Sequence, residues 1–289
     1  MAFALDLNDA TLEISLRRIA SEELGFALAR LPRTDRPEAV HAIRKHIKKT
    51  RAVLRLVRTG LAVQPEENSN LRSIALALAT RRDASARLIT FQSLFPDPPA
   101  CLSPLRDHLV TATQAADDPI SEDVREALSA LRARAAHWTL RGKDDTILRQ
   151  GLADTRRKAI RALKAARADP TSELLIHDLR KRAKDHWYQA RLFAPCWPEL
   201  FKPLAATADR LGESLGEHHD LTLFAHQIAG LSPEAVPDEA RCLLDAAIDS
   251  ARTRIADAAF PTAARLFAGD PDDVAALWVD WRKVWRRKA

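Results

Sequence analysis

The fold is decided by a stretch that occurs twice, first as VHAIRKHIKKTRAVLRLV at residues 40–57 and again as IHDLRKRAKDHWYQARLF at residues 176–193. The two copies align without a gap at an offset of 136 residues, and 6 of the 18 aligned positions are identical. Chance alone would give about one identity. Downstream, LATRRD at 78–83 aligns with LGEHHD at 215–220 at an offset of 137. We interpret the chain as an internal duplication.

Glycine and proline usage predicts that both halves are entirely α-helical. The 289 residues include only 8 Gly, too few for the many tight turns of an all-β protein or for glycine-rich nucleotide-binding loops. The 16 Pro fall between long stretches rich in Ala, Leu, Arg and Glu, which favour helices. No segment alternates with period 2, so we expect an all-α fold. The ten predicted helices lie near 9–30, 38–60, 67–94, 104–116, 121–139, 144–168, 171–193, 199–229, 234–259 and 272–287.

The duplication predicts two helical bundles related by a pseudo-two-fold axis. We place their boundary in TLRGKDD, which gives an N-terminal half of residues 1–140 and a C-terminal half of residues 141–289. Hydrophobic residues make up 46% of the chain, enough for a buried core. No apolar run reaches the roughly 18–20 residues that span a bilayer, and the N-terminal MAFALDLNDATLEIS has no signal-peptide pattern. Three well-separated Cys form neither a disulfide framework nor a zinc site, so we expect a reduced, cytoplasmic protein without cofactor or metal.

Each copy of the repeated helix has an apolar face and an opposite face of positive charge. At about 100° per residue, the basic side chains of each copy cluster around one direction. No acidic residue occurs from position 39 to position 65, although like charges four residues apart repel by about 0.2–0.5 kcal/mol. An ordinary solvated face is the alternative, but recurrence at the same phase favours a shared anionic partner. The clustered residues are His41, Arg44, Lys45, Lys48 and Arg55 in the first copy, and His177, Arg180, Lys181, Lys184 and Arg191 in the second.

A charged or titratable position also interrupts the apolar stripe of the helix that follows each motif. Arg82 has this position in the first half, and His218 with His219 in the second. Such groups are costly inside a stripe unless they are paired or reach water. Pairing with the adjacent Asp83 and Asp220 is one interpretation, and a hydrated basic channel is the other. The histidines that we expect to titrate near neutral pH on that channel are His41, His177, His218 and His219.

These motifs resemble those of the CHAD family, the conserved histidine α-helical domain. H-x-x-R-K-x-x-K occurs twice, as HAIRKHIK at 41–48 and HDLRKRAK at 177–184. The Arg-Asp and His-Asp steps at 82–83 and 219–220 also fit, and the tail RLFAGDPDDVAALWVDWRKVW at 265–285 is similar to the closing helix of the family. The resemblance extends over nearly the whole chain. It implies two four-helix bundles and a basic central pore that binds inorganic polyphosphate without known catalysis.

By position, the resemblance also implies which residues line such a pore. Arg156 and Arg157, on the helix before the second motif, are added as further candidates, together with His218 beside His219. The implied set is His41, Arg44, Lys45, Lys48, Arg51, Arg55, Arg82, His177, Arg180, Lys181, Lys184, Arg191 and His219.

The second copy departs from the first in ways that weaken its charge. Asp185 stands at the position of Lys49, and Trp187 at the position of Arg51, so we expect a lopsided pore. The alternating Glu-x-Glu-x-Lys strand pattern of the triphosphate-tunnel (CYTH) domains that often precede CHAD domains does not occur. We therefore expect no phosphohydrolase activity.

Net charge and aromatic content favour polyphosphate over other partners. The formal charge is +6, from 45 Lys and Arg against 39 Asp and Glu, and the pI is about 9.5. Polyphosphate binding would be driven by counterion release and needs no base-stacking aromatics, which make up only 6% of the chain. A nucleic-acid-binding protein and a helical scaffold for protein partners remain alternatives.

A metal-dependent phosphohydrolase of the HD type is a further alternative, because His177-Asp178 and His219-Asp220 are HD dipeptides on helices. Metal sites need converging carboxylates, whereas these surroundings are strongly basic. Outside the motifs, three spaced tryptophans of the last helix are predicted to pack in the core. These tryptophans are Trp278, Trp281 and Trp285.

Overall fold

Helices joined by short turns make up the structure, a computed structural model that describes residues 3–33, 37–78, 83–114 and 122–287. No strand occurs in these ranges, and the prediction of an all-α fold is confirmed. The helices are α1 (Leu12–Leu28), α2 (Pro37–Leu56), α3 (Gln64–Ala77), α4 (Asp83–Leu94), α5 (Ser103–Gln114), α6 (Glu122–Ala135), α7 (Asp144–Ala168), α8 (Glu173–Phe193), α9 (Pro198–Ala229), α10 (Asp238–Leu266) and α11 (Pro271–Arg287).

Two of the predicted helix boundaries are wrong. The single helix expected over 67–94 is two helices, α3 and α4; neither Pro nor Gly lies between them to mark an end. The helix expected to stop at 259 continues to Leu266, with Pro261 inside it. A proline removes one backbone hydrogen bond from a helix interior. Here burial of Ala263 and Leu266 on the far side of Pro261 offsets that loss.

The apolar helix faces meet in three clusters. The first joins α1, α2 and α6 to an aromatic group that includes Phe193, Phe201 and Trp278. The second lies among α7, α8, α9 and α10. In the third, Phe91 of α4 and helix α5 pack against Phe224 and α10. The first and third clusters each combine residues from before and after position 140, and the division of the chain at 140 stays a prediction.

The tryptophans of α11 pack in the core, as the sequence predicts. Trp278 is buried, with its ring centroid 4.7 Å from that of Phe201 and 5.4 Å from that of Phe193. Trp281 and Trp285 are partly buried against the same cluster. The closing helix is therefore held on the bundle by aromatic contacts.

Helix α2 lies between α1, α7 and α8 and contacts each of them. The backbones of α2 and α7 come close at Gly151, where an added Cβ would overlap the carbonyl group of Leu56. Glycine is required at this crossing because any side chain would separate the two backbones. The first motif helix is thereby fixed against the C-terminal half of the chain.

A buried charge cluster connects α1 to α2. Glu23 is 2% exposed, and its carboxylate accepts hydrogen bonds from Lys49 Nζ at 2.8 Å and His46 Nδ1 at 2.5 Å. Burial by itself raises the pKa of Glu23, but the hydrogen bonds from His46 and Lys49 outweigh it and lower the pKa below the ordinary 4.5. Lys49, a flanking residue of the basic face by sequence, thus turns into the protein.

Replacement of Glu23 by Gln is expected to destabilise the fold by about 3 kcal/mol at pH 7, because Lys49 would remain buried without its counter-ion. Since the folded pKa of Glu23 is depressed, its contribution is present above 4.5 and is lost as the pH falls through the folded value. Urea unfolding of both proteins at pH 7 and pH 3 measures this difference. The exposed Glu126→Gln is the control, and equal losses in both variants would contradict the assignment.

Candidate anion-binding site

The two motif helices lie side by side and are joined by an ion pair. Arg55 Nη2 of α2 lies 2.5 Å from Asp185 Oδ1 of α8. The equivalent cations of the two copies, Arg55 and Arg191, both act on Tyr188: burial raises the pKa of its phenol, and the two arginines oppose that rise. Lys49 of α2 and Arg191 of α8 also lie over the same ring, that of Phe3, at 5.5 and 5.7 Å from its centroid, so the two helices approach one another here.

Arginines of the first row donate hydrogen bonds to residues of α3. Arg44 Nη1 donates a hydrogen bond of 2.9 Å to the carbonyl oxygen of Ala75, and Arg51 Nε donates one of 3.0 Å to Asn68 Oδ1. The side chains of this row that are most open to solvent are His41, Lys45 and Lys48. The half-buried arginines are thus anchored to α3, while the outer edge of α2 presents its lysines to water.

The cations of the second row are paired with acidic and aromatic side chains. Lys184 Nζ lies 2.8 Å from Asp209 Oδ1 of α9 and 4.6 Å from the ring centroid of Trp187. The guanidinium of Arg191 lies 5.1 Å from the same ring, and Lys181 pairs with Asp178 at 3.3 Å. Trp187, which the sequence marks only as a lost cation, is a cation–π partner for two cations of the row.

Acidic partners reach both rows from other helices. Arg55 pairs with Asp185 of α8, and Lys184 pairs with Asp209 of α9. Because residues 39–65 contain no acid, the sequence predicts no acidic partner for Arg55 within this segment. In the structure the partner is Asp185, which lies 130 positions further along the chain. Because Asp185 replaces a lysine of the first copy, the charge of the second motif is reduced, and the lopsided pore stays a prediction.

The pKa values of His177, His218 and His219 are all lowered, against the expectation that these histidines titrate near neutral pH. The rings of His177 and His219 are neighbours, with centroids 4.3 Å apart and planes tilted by 36°. Burial, His219 and the neighbouring cations lower the pKa of His177 to about 4, and burial and Arg180 lower that of His219. His218 is 2% exposed, so it does not face a hydrated channel, and burial lowers its pKa to about 4.

Two of the predicted site residues are paired with residues near the C-terminus and not with the basic rows. Arg156 is 8% exposed, and its guanidinium donates to the carbonyl oxygen of Ala268. Arg157 pairs with Asp272 of α11 at 3.0 Å. The geometry therefore does not bring this pair together with the two basic rows. Arg82 falls outside the described residues.

Sequence reasoning missed a further cation and its counterpart in the second half. Arg72 of α3 is close enough to Arg51 to lower the pKa of that arginine, after burial and Arg55. At the offset of 137, Arg72 aligns with Asp209, the partner of Lys184. Extending the alignment of 78–83 with 215–220 toward the N-terminus would have shown this reversal of charge.

Within the described ranges, no group of three or more His, Cys, Asp or Glu side chains is placed to hold a metal ion. None of the helices in these ranges is both long and apolar enough to cross a lipid bilayer. Asp178, the acid of the first HD dipeptide, pairs with Lys181 at 3.3 Å and Arg182 at 3.4 Å.

Residues 12–229 match the family model described as the CHAD domain. The chain belongs to the CHAD family. The crystal structure of the CHAD domain from the plant Ricinus communis is similar to this chain, with a TM-score of 0.58 and 18% sequence identity. That likeness covers 97% of this chain and 95% of the plant chain, and it shows the fold. A comparison with curated proteins gave no match. The tail at 265–285, which also resembles the family, lies beyond the matched residues of this CHAD domain.

Replacement of Arg180 by Gln is expected to raise the pKa of His177, because Arg180 is one of the cations that hold it at about 4. Titration of the histidine ring protons by NMR measures the change in the unliganded protein. Lys164→Gln, an exposed charge on α7, serves as the control and should leave His177 unchanged. A fall in the pKa of His177 in the Arg180 variant would contradict this geometry.

Proposed function

We propose that this CHAD domain binds inorganic polyphosphate, or a polyanion of similar charge density, without catalysis. The observation that supports it is the approach of α2 to α8, where Arg55 pairs with Asp185 at 2.5 Å, and Lys49 of α2 and Arg191 of α8 lie 5.5 and 5.7 Å from the ring centroid of Phe3. A flexible polyanion that follows one row would meet the other at this point. Binding of this kind would place the protein at cytoplasmic polyphosphate granules.

Charge density supplies the driving force in this proposal. Polyphosphate carries a charge on each phosphate, so neutralisation by Lys and Arg releases condensed counter-ions. Arginine forks such as Arg44 and Arg51 can donate two hydrogen bonds to non-bridging oxygens, and exposed lysines such as Lys45 and Lys48 add point charge. Lys181 and Lys184 of the second row are already paired with Asp178 and Asp209, which reduces what the second row would contribute.

The surroundings of Trp187 support polyphosphate over nucleic acid. A single-stranded nucleic acid needs open aromatic faces on which its bases can stack. Trp187 is half-buried, and Lys184 and Arg191 lie 4.6 and 5.1 Å from its ring centroid. Its ring therefore serves the basic rows as a cation–π partner. Single-stranded DNA is therefore used as a competitor in the polyphosphate-binding experiment.

The proposal of a non-catalytic role rests on the environment of the candidate acids. A phosphohydrolase of the HD type would use Asp178 as a metal ligand beside His177. Asp178 instead pairs with Lys181 and Arg182, and further cations surround it. Such a neighbourhood repels a divalent cation and attracts a polyanion.

Affinity for long-chain polyphosphate is expected to fall steeply with salt, with a slope of log K against log salt of about −0.7 for each phosphate contact. Lys45→Glu with Lys48→Glu should weaken binding and lower the slope by about 1.4 in magnitude, because two contacts are lost. The control is Arg254→Glu with Arg265→Glu, which makes the same change in net charge at exposed positions of α10. Fluorescence anisotropy at several salt concentrations gives both quantities.

Three results would count against the proposal. One is a flat salt response, and another is an equal loss of affinity in the α2 and α10 variants, which would mean that only net charge matters. The third is displacement of polyphosphate by single-stranded DNA at equal phosphate concentration, which would assign the basic rows to nucleic acid instead.

Binding of polyphosphate is expected to strengthen as the pH falls from 7 towards 5, with uptake of protons. A bound polyanion favours the charged imidazoles, so it raises the pKa of His177 from about 4. A group whose pKa is higher in the complex favours the complex below the bound value. Calorimetry in two buffers of different ionisation enthalpy measures the protons taken up. His177→Gln with His219→Gln should abolish the uptake, and the exposed His137→Gln should not.

A further inference from the structure

Helix α9 carries two glycines in its interior, one turn apart, at Gly212 and Gly216. The chain has only 8 Gly, and glycine is less favourable than alanine in the middle of a helix. Both are buried against α8, the second motif helix. The side chains of α8 that lie over Gly212 and Gly216 give the structural reason for glycine at these positions.

The space above Gly212 is filled by Lys184. A Cβ added at Gly212 would stand 2.6 Å from Lys184 Cε, 2.7 Å from Cδ and 3.1 Å from Cγ. The methylene chain of the lysine thus lies flat on the bare backbone of α9. From there its Nζ reaches Asp209, one turn earlier on α9, at 2.8 Å.

The space above Gly216 is filled by Arg180. A Cβ added there would stand 3.3 Å from Arg180 Nε and 3.5 Å from Nη2. The guanidinium therefore lies against the helix backbone, near enough to His177 and His219 to lower the pKa of each. The two cations lie one turn apart on α8, as the two glycines do on α9.

The first half has a related contact in a different register. Arg44, the equivalent of Arg180, donates its 2.9 Å hydrogen bond to the carbonyl oxygen of Ala75. At the offset of 137, Ala75 aligns with Gly212, whereas Arg180 lies over Gly216, one turn further along α9. The two halves therefore share only a motif arginine that approaches the backbone of the neighbouring helix.

We propose that Gly212 and Gly216 are positioning residues, which hold Lys184 and Arg180 between α8 and α9 so that their charged ends stay in register for the anion. This inference rests on the proposed function. A long side chain that is already ordered loses less freedom when it binds a ligand. Replacement of either glycine removes that order without removing a charge.

Gly212→Ala is the decisive variant, because its methyl group requires the whole side chain of Lys184 to leave the groove. We expect the affinity for long-chain polyphosphate to fall about tenfold, the loss of one charged hydrogen bond, and the salt slope to fall by about 0.7. Thermal stability should stay equal or rise, since the displaced group is the end of a flexible side chain and alanine favours the helix. A glycine that served only for helix contact would show the reverse, lower stability with normal affinity.

Gly216→Ala has a matched control in Gly25→Ala. A Cβ at Gly25 of α1 would meet Arg132 Cζ at 3.3 Å, the same distance as Arg180 Nε from a Cβ at Gly216. Both changes therefore push an arginine from a helix by the same amount. Only the change at Gly216 should alter the histidine titration of His177 and the affinity for polyphosphate.

A ligand-free measurement separates failure of this inference from failure of the proposed function. Lys184 lies over Trp187, so Gly212→Ala should shift tryptophan emission, and the shift should vanish in a Trp187→Phe background. If the wild type does not bind polyphosphate, the proposed function fails, and the emission and titration data alone decide the positioning role. Unchanged emission, titration and affinity in both glycine variants would overturn it.

Discussion

Like-charge repulsion along α2 and α8 is the constraint on which the remainder of the site depends. A helix without an acidic residue from 39 to 65 must find counter-charges on other helices or leave its cations in water. Lys49 and Arg55 turn to the buried acids Glu23 and Asp185, which lie on α1 and α8. The side chains of Lys45 and Lys48 lie at the exposed surface of α2.

The two copies of the motif meet this constraint differently. At three positions where the first copy or its neighbouring helix carries a cation, the second carries an acid or an aromatic ring. Lys184 and Arg191 lie over Trp187. Lys184 and Arg180 lie against the backbone of α9. The differing pairs are Lys49 and Asp185, Arg51 and Trp187, and Arg72 and Asp209.

Most of the helices follow from the sequence, because helix propensity and proline placement are local properties. The exceptions have physical reasons. Between α3 and α4 no Pro or Gly marks the helix end, and in α10 burial of Ala263 and Leu266 carries the helix through Pro261. The division of the chain at 140 stays a prediction, since aromatic residues from after this position fill a cluster built on α1, α2 and α6.

The sequence by itself determined which residues share a helix face, and hence the two basic rows, because the angle between successive residues of a helix is fixed. It also carried the family resemblance. Only the tertiary structure decided which of those groups are paired, buried or neutral. Lys184 meets Asp209, Arg156 turns to Ala268, and His218 is buried with a pKa of about 4. Pairing and desolvation depend on side chains from distant parts of the chain, which no local pattern specifies.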